Sequence, residues 1–547
     1  MFAILAALLI IVAIVMMVSF KQKSGVSLFA AWLTSIILAV FFWNMRITHA
    51  GAFTVLGFLS AINVILIVFS AIFLLNSLIE LKFIETIGNG FTGITQDRRI
   101  QIMIVAWLFG AFIEGASGFG TPGALAAPLL VGLGVPTFFA ALSSLMANYS
   151  PVLYGAVGIP PVMGFESIRP GLEASYGEAM TESIFVELTT MAGFTNIFVG
   201  SFVPFLIIAS CVARDGRKSG LKDAHNIFPL CLFAGLIFTV PTWIISHLGP
   251  EIPTLVGSLI ALPVFIFAVK KGFLIPKEVY RFQDDPIKRV SESSETGISL
   301  MTAWSPYVII AALLAVSRLP WLPFARMLTH SSVTISITGL FGFEGINWNL
   351  PILNNPGLFP FLPVAIIFLI VRKAPGEIVS KTFFKTTKQL KNAVLALLFG
   401  VALVQMMRFT NYTNPGTGLE AMSTEIARAF ADTFGGIYPL VGPLIGALGA
   451  FVSGSHTVSN IMFYGLQVDT AELLRLPVVL VLIGQTSGAS IGNMVAIHNA
   501  VSISATTGAH GSEGKMIAAA FLPFILCSLA ISGILFLYLA IGVQWVA

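Results

Sequence analysis

Residues 110–122 of the chain read GAFIEGASGFGTP, and the interpretation of the whole sequence starts from them. The stretch begins as an apolar helix that contains Glu114, and then breaks into glycines and hydroxyl side chains before Pro122. Proline suits the first turn of a following helix. At membrane depth, a non-helical break is tolerated only where it lies against protein or lines a water-filled cavity. In a membrane protein, this stretch therefore predicts a broken helix beside a cavity.

The composition of the chain is that of a membrane protein. Of its 547 residues, 56% are hydrophobic and only 10% are charged, whereas soluble domains carry about 25% charged residues. Apolar runs of the roughly 20 residues that span a bilayer recur from end to end. We therefore predict an all-α polytopic membrane protein with about 12–14 transmembrane helices. It is expected to form a single transporter domain over residues 1–547.

A second stretch resembles the first one. Residues 449–460 read GAFVSGSHTVSN, and each stretch leads into a short apolar run and then a helix with a polar interruption. Loops rich in lysine and arginine mark the cytoplasmic side of a membrane protein, and they all fall on one side if the amino terminus is outside. The two stretches then have opposite orientations, as in an inverted-topology repeat. We predict two such repeats with broken or re-entrant helices, their cores at residues 100–160 and 436–507.

The charged residues argue against several classes of protein. The net charge is only +4, and the basic residues lie in short loops rather than on one face, so nucleic-acid binding is not expected. Residues 270–299 mix acids and bases and are predicted to form a cytoplasmic loop. The sequence has no Walker loop and no cluster of histidine and acid ligands. We therefore predict no enzyme activity, no cofactor and no metal site.

The two breaks together form the predicted substrate site. Glycine lets backbone N–H groups turn toward a bound anion, and a helix N-terminus adds partial positive charge. We therefore predict that two half-helix tips meet near the membrane midplane around a small anionic solute. The predicted substrate-binding residues are Ser117, Gly118, Gly120, Thr121, Ser455, His456, Thr457, Ser459 and Asn460.

Ionisable residues inside apolar segments are costly and are functional candidates by default. Glu114 is the only acid inside a predicted membrane run, and burial favours the neutral form of a carboxyl. We therefore predict that Glu114 takes and releases a coupled proton. His456 is the second candidate for proton coupling, because histidine ordinarily titrates near neutral pH.

Around the two breaks, the sequence resembles the L-lactate permease family of bacterial monocarboxylate transporters. The stretches that carry this resemblance are RRIQIMIV (98–105), FGAFIEGASGFGTP (109–122), LVGLG (130–134), GAVGIP (155–160) and GSHTVSN (454–460). The last one is similar to the family's G-S-D-T-S-S-N segment, with His456 where relatives usually carry aspartate. The resemblance implies uptake of lactate, and in some relatives glycolate, by proton symport across the bacterial cytoplasmic membrane.

The sequence thus predicts a secondary active transporter for a small 2-hydroxy monocarboxylate (L-lactate, D-lactate or glycolate) coupled to protons. Its expected partners are this substrate, the proton and the lipid bilayer of the inner membrane, with the amino terminus outside. Two alternatives stay open. One is a sodium-coupled carboxylate transporter, because carbonyls and hydroxyls can hold sodium, and the other is a passive anion channel. The site offers donors for one carboxylate, so succinate is not expected to be a substrate.

Overall fold

The structure, a computed structural model, describes the chain except residues 1, 21, 92, 119, 218–219, 286–295, 319–321, 329, 344–345, 413–418 and 547. Over the described residues the chain is almost entirely helical, with one two-stranded sheet. Eleven helical segments in this part are long and apolar enough to cross a membrane, and four shorter apolar helices accompany them. The predicted all-α polytopic fold is confirmed. The described chain has fewer full-length spans than the sequence predicts, because several apolar runs form half-length helices.

The helices are numbered α1 to α24 along the described chain. Those of the first half are α1 (Phe2–Val18), α2 (Ser24–Phe41), α3 (Ile47–Glu80), α4 (Phe83–Asn89), α5 (Arg98–Ile102), α6 (Gly110–Ala116), α7 (Thr121–Gly132), α8 (Thr137–Ala147), α9 (Gly155–Tyr176), α10 (Glu178–Gly200), α11 (Val203–Val212), α12 (Leu221–His225), α13 (Phe228–Ser246) and α14 (Pro253–Lys270). Those of the second half are α15 (Leu300–Arg318), α16 (Phe324–Leu328), α17 (Leu362–Val371), α18 (Gly376–Arg408), α19 (Met422–Phe434), α20 (Tyr438–Ser453), α21 (His456–Leu474), α22 (Val478–Gly492), α23 (Ile497–Thr507) and α24 (Glu513–Ala540). Strands β1 (Thr334–Ile337) and β2 (Trp348–Pro351) pair antiparallel, with Thr334 opposite Pro351.

Helices α2 and α3 both pack along α18, and we call these three helices the scaffold bundle. Small residues let membrane helices approach closely, and a Cβ built on Gly57 of α3 would lie 2.5 Å from the Cα of Ala402 in α18. Toward the other end of α3, the Asn76 amide donates to Thr386 at 2.9 Å and to Gln389 Oε1 at 2.8 Å. The scaffold bundle is therefore fixed by close backbone contact at one level and by polar pairs at another.

Helices α5 and α6, joined by a π-helical segment, form one continuous span that is buried along its length. The chain then turns through Gly118 and Gly120, whose φ angles of +57° and +79° are accessible to glycine at little cost, and α7 runs back. Arg98 Nη1 donates to the Leu133 carbonyl at 2.6 Å, so α7 ends beside the start of α5. We call α5–α7 the first hairpin, and the membrane side where it begins the Arg98 face.

Helices α20 and α21 form an equivalent second hairpin. The chain turns between them at Gly454, which has a φ angle of +71°. Tyr438 Oη, at the start of α20, donates to Gln467 Oε1 near the end of α21 at 2.7 Å. Helix α21 therefore returns to the side of the membrane from which α20 entered.

The two hairpins enter the membrane from opposite sides. Helix α21 ends beside Tyr176, the last residue of α9, whose Oη donates to Glu472 at 3.1 Å. From there, α10 and α11 form a 35-residue span that ends near Asp215, which is about 50 Å at 1.5 Å per residue. Asp215 accepts from Tyr280 Oη at 2.7 Å, and the Tyr280 N–H donates to Asp97, the N-cap of α5. The side of the second hairpin, which we call the Tyr176 face, is therefore opposite the side of the first, as the sequence predicts.

Each hairpin packs against the last helix of the other repeat. Helix α7 lies on α23, where a Cβ built on Gly123 would meet Ile503 at 2.5 Å. Helix α21 lies on α9, where a Cβ on Gly164 would meet Asn460 and Tyr464 at 2.7 Å. Both repeats have the same order of elements: a broken helix pair, a helix, a 3₁₀ turn and a final helix. This reciprocal packing brings both breaks to the centre of the molecule.

The predicted 270–299 loop connects α14 to α15, and its described part is attached to the Arg98 face. Asp285 accepts two hydrogen bonds from the Arg98 guanidinium, at 2.6 and 2.8 Å. Residues 286–295 of the predicted loop lie outside the described residues. The attachment therefore fixes the start of the loop against the base of the first hairpin.

Candidate functional site

A cavity of about 240 Å³ lies between the tips of the two hairpins and the scaffold bundle. Glu114 and Gly120 line it from the first hairpin, and Ser455, His456 and Thr457 line it from the second. The two breaks thus share one cavity. Among the described residues, no group of three or more His, Cys, Asp and Glu side chains is placed to hold a metal ion.

Glu114 is 2% exposed and lies in the last turn of α6. Its Oε2 atom has no hydrogen-bond partner among the described residues. Gly155 makes room for the carboxyl, because a Cβ built there would lie 2.2 Å from Glu114 Oε1. Burying an ionised carboxylate without a partner costs several kcal/mol. The cavity therefore contains an acid whose charge is sensitive to a proton or a ligand beside it.

His456 is fully buried in a polar network that fixes its ring. Nδ1 lies 3.1 Å from the Val152 carbonyl, which can only accept, so Nδ1 carries a hydrogen. Nε2 lies 3.0 Å from Nδ2 of Asn460, whose amide also donates to the Pro160 carbonyl, so Nε2 accepts. The Thr486 hydroxyl lies 2.9 Å from the same Nε2. The network therefore matches the neutral Nδ1–H tautomer of the ring.

Several other predicted site residues bond within the hairpins. In the first tip, Ser117 Oγ and Thr121 Oγ1 are 2.7 Å apart, and Thr121 donates to the Gly118 carbonyl at 2.6 Å. In the second, Ser459 Oγ donates to the Gly446 carbonyl of α20 at 2.7 Å. Five of the predicted site residues lie outside the described lining of the cavity: Ser117, Gly118, Thr121, Ser459 and Asn460. In this structure Ser117, Thr121 and Ser459 bond within their own hairpins, and Asn460 bonds to α9 and α22.

Two helices begin at the cavity. Ser455 is the N-cap of α21, and its Oγ accepts from the Val458 N–H at 3.3 Å. The first N–H groups of a helix have no acceptor within the helix, and the helix dipole places about half a positive charge there. Helix α7 begins at Thr121, directly after the cavity-lining Gly120. The arrangement favours a carboxylate between the two helix starts.

Sequence reasoning missed the cavity residues that other elements contribute. Asn148 directly follows α8 and Asn493 directly follows α22, and both line the cavity. Because they hold equivalent positions in the two repeats, comparing the repeats in sequence could have identified them. Ala393 and Ala396 of α18 also line the cavity, and in the sequence they look like any other residues of an apolar helix.

The cavity opens toward the Arg98 face. Helix α18 ends at the Tyr176 face, because Arg408 lies against Gly171 near the end of α9. The other end of α18 is therefore at the Arg98 face. Gln389 lies closer to that end than the other α18 residues that line the cavity, and its side chain is exposed. His498 and Ser502, also exposed, lie on α23, which begins at the second tip beside Gly454 and runs next to α7 toward the same face. On the other side, α9 and α21 are in close contact, since a Cβ built on Gly164 would meet Asn460 and Tyr464 at 2.7 Å.

Comparison with known proteins shows similarity over almost the entire chain. The family model described as L-lactate permease matches residues 2–542. The chain is 28% identical to the L-lactate permease of Escherichia coli K12 over 547 residues, which covers 94% of this chain and 91% of that protein. It is 28% identical to the L-lactate permease of Bacillus subtilis over 561 residues and to the Glycolate permease GlcA of Escherichia coli K12 over 551 residues, with the same coverage.

Among solved structures, the chain is similar to the YdaH transporter of Alcanivorax borkumensis. The sequence identity is 12%, the TM-score is 0.46, and the match covers 90% of this chain and 87% of that chain.

The family match and the eleven apolar spans of the described chain identify a multi-pass integral membrane protein of the permease class. Its described residues form a cavity between the tips of two inverted hairpins. The chain belongs to the L-lactate permease family.

Proposed function

We propose that this protein is a proton-coupled symporter for a small 2-hydroxy monocarboxylate: L-lactate, D-lactate or glycolate. The printed names of its relatives, L-lactate permease and Glycolate permease, support this substrate class. The observation that carries the proposal is the buried, unpartnered carboxyl of Glu114 in the cavity where two helices begin.

The proposed coupling is electrostatic. An ionised Glu114 in the cavity repels the carboxylate of a substrate, and protonation of Glu114 removes that repulsion. Proton binding and substrate binding therefore favour each other reciprocally. The pair of lactate anion and proton carries no net charge, which lowers the cost of moving it through an apolar environment.

The proposed binding mode places the substrate carboxylate at the start of α21. The hydroxyls of Ser455 and Thr457 lie at this point, and Gly120 of the first tip lines the same cavity. We propose Ser117, Gly118, Thr121, Ser459 and Asn460 as residues that support the two tips, and His456 as a neutral polar neighbour of the substrate. These groups suit one carboxylate, and a second carboxylate would lie opposite Glu114 or the apolar wall of α18.

We infer that the Arg98 face is the cytoplasmic side of a bacterial inner membrane, with the amino terminus outside. The first turns of α18 carry Lys381 and Lys385, which pair with Glu80 at the end of α3. The end of α9 and the start of α10, at the Tyr176 face, are acidic and include Glu173 and Glu182. This distribution follows the positive-inside rule, and in this proposal the described loop after α14 is cytoplasmic.

The test is substrate-induced proton movement in liposomes that contain the purified protein and a trapped pH-sensitive dye. We expect external L-lactate, D-lactate or glycolate to acidify the lumen faster than in protein-free liposomes, and succinate to have no such effect. Saturable succinate uptake as good as that of lactate would contradict the proposed substrate class. Accumulation that follows a sodium gradient at equal pH would replace the proton by sodium.

Counterflow separates a carrier from an anion channel in the same liposomes. Unlabelled lactate trapped inside should accelerate the entry of labelled lactate, because a carrier exchanges its substrate across the membrane. A channel gives no such acceleration.

A further inference from the structure

We propose that Ala393, Ala396 and Leu397 of α18 form a wall that sets which 2-hydroxy acids the transporter accepts, by limiting the group on carbon 2. The inference rests on the proposed function, and it assigns substrate selection to the scaffold bundle rather than to the hairpin tips.

The three residues share one face of α18. Together with Gln389 they follow the spacing i, i+4, i+7 and i+8, which places side chains on one side of a helix. All four line the central cavity. Gln389 is the polar member and lies at the mouth, so the deeper part of the wall is apolar.

The opposite wall of the cavity is polar. Ser455 and Thr457 belong to it, and Glu114 lies there 2% exposed with an Oε2 atom that has no partner among the described residues. A buried carboxyl oxygen without a partner can accept a proton or a hydrogen bond from a group in the cavity. A small 2-hydroxy acid is itself two-sided, with a carboxylate at one end and hydrogen or an alkyl group on carbon 2. With the carboxylate at the tips, the group on carbon 2 lies toward α18.

The position of α18 in the scaffold bundle is fixed by contacts on both sides of the wall. The backbone of α18 is in close contact with α3 at Gly57 and Ala402, and Asn76 holds the Thr386 and Gln389 side chains at 2.9 and 2.8 Å. Ala396, 3% exposed, sits between these two fixed points. A larger side chain at position 396 must therefore take its volume from the cavity.

The chemical series is glycolate, lactate and 2-hydroxybutyrate, which carry hydrogen, methyl and ethyl on carbon 2. A hydrophobic pocket distinguishes one methylene by roughly tenfold or more in kcat/KM. We expect Ala396→Val to raise the ratio of glycolate to lactate kcat/KM by roughly tenfold. We expect Leu397→Ala to act in the opposite direction and to raise the ratio of 2-hydroxybutyrate to lactate.

The experiment measures initial uptake of the three labelled acids by the reconstituted full-length chain. Val394→Leu is the matched control, because Val394 lies on the same helix outside the described cavity lining and the change also adds volume; its substrate ratios should equal those of the unchanged protein. If Ala396→Val lowers uptake of glycolate and lactate equally, or leaves their ratio unchanged, the wall does not select the substrate and the inference is wrong.

Two further outcomes distinguish failure of the proposed function from failure of the inference. If the unchanged protein transports none of the three acids, the proposed function fails before the wall is tested. If Ala396→Val yields no folded protein, the widened Leu397→Ala variant decides, since an unchanged ratio of 2-hydroxybutyrate to lactate would overturn the inference by itself.

Discussion

Glu114 and His456 lie in the same cavity but are held in different ways. The Glu114 carboxyl has an oxygen without a partner among the described residues. Both ring nitrogens of His456 are engaged, Nδ1 with the Val152 carbonyl and Nε2 with the Asn460 amide. A second proton on the ring would point at the donor hydrogens of Asn460. This difference is the reason for assigning the coupled proton to Glu114.

Replacing Glu114 with glutamine keeps its size and removes its titratable proton. We expect Glu114→Gln to retain lactate exchange at equal pH and to lose accumulation driven by a pH gradient, because the neutral amide resembles the protonated state permanently. Uptake of labelled lactate into liposomes, with and without an imposed pH gradient, measures both activities.

His456→Gln is the companion variant. It is expected to keep some accumulation driven by a pH gradient, at a lower rate because the network loses a member. If Glu114→Gln accumulates lactate normally and His456→Gln does not, the histidine carries the proton.

The sequence predicted the residues whose chemistry is visible in their type. Glu114 is an acid in an apolar run, and the glycines and hydroxyls of the two tips mark a break wherever they occur at membrane depth. It could not show which hydroxyls would bond to their own hairpin, as Ser459 does to Gly446. It also could not reveal Ala396, because an alanine that faces a cavity and one that faces a neighbouring helix look alike in a sequence.

At the scale of helices, the second repeat depends on close contact between α20 and α22. A Cβ built on Gly488 would lie 1.9 Å from the Pro443 carbonyl oxygen, and one on Gly446 would lie 2.2 Å from the Gln485 carbonyl oxygen. Backbone atoms cannot move aside as a flexible side chain can. The two glycines therefore determine how closely α20 approaches α22. That distance in turn determines where the second tip lies.

Adding a methyl group at Gly488 tests the contact between α20 and α22. We expect Gly488→Ala to lower the free energy of unfolding by about 1–3 kcal/mol, the usual cost of an overpacked interior. The midpoint of thermal unfolding in detergent should fall by several degrees.

Gly533→Ala in α24 is the matched control, because a Cβ there has nothing within 4 Å. It should be neutral or stabilising by up to about 1 kcal/mol, since alanine is the better helix former. Equal effects of the two changes would show that the contact with Pro443 does not limit the approach.

At the scale of the whole molecule, the described lining of the cavity extends toward the Arg98 face. Its exposed lining residues lie toward the Arg98 face, and on the other side α9 and α21 are in close contact. The positions of the basic loops and the similarity of the two broken stretches allowed the inverted arrangement to be predicted from the sequence. Which side is open depends on small differences in packing between the two repeats, which a sequence pattern does not contain.

Chemical labelling tests this asymmetry. The native cysteines Cys211, Cys231 and Cys527 are buried and give a low background. We expect His498→Cys to react with a membrane-impermeant maleimide in inside-out vesicles and not in intact cells. Glu182→Cys, whose position is exposed at the Tyr176 face, should show the reverse. Labelling of both positions from the same side would contradict the described topology.

The two tips are alike in form and unlike in charge. Ser453 occupies in the second hairpin the position that Glu114 holds in the first, as GAFVSG and GAFIEG show, and both residues line the cavity. Of these two equivalent positions, only the first carries an acid. If Glu114 is the coupled group, each cycle moves one proton with one monovalent anion. Such a cycle is electroneutral, so the membrane voltage neither drives nor opposes it. Accumulation is then limited by the pH difference alone, to about tenfold for each pH unit.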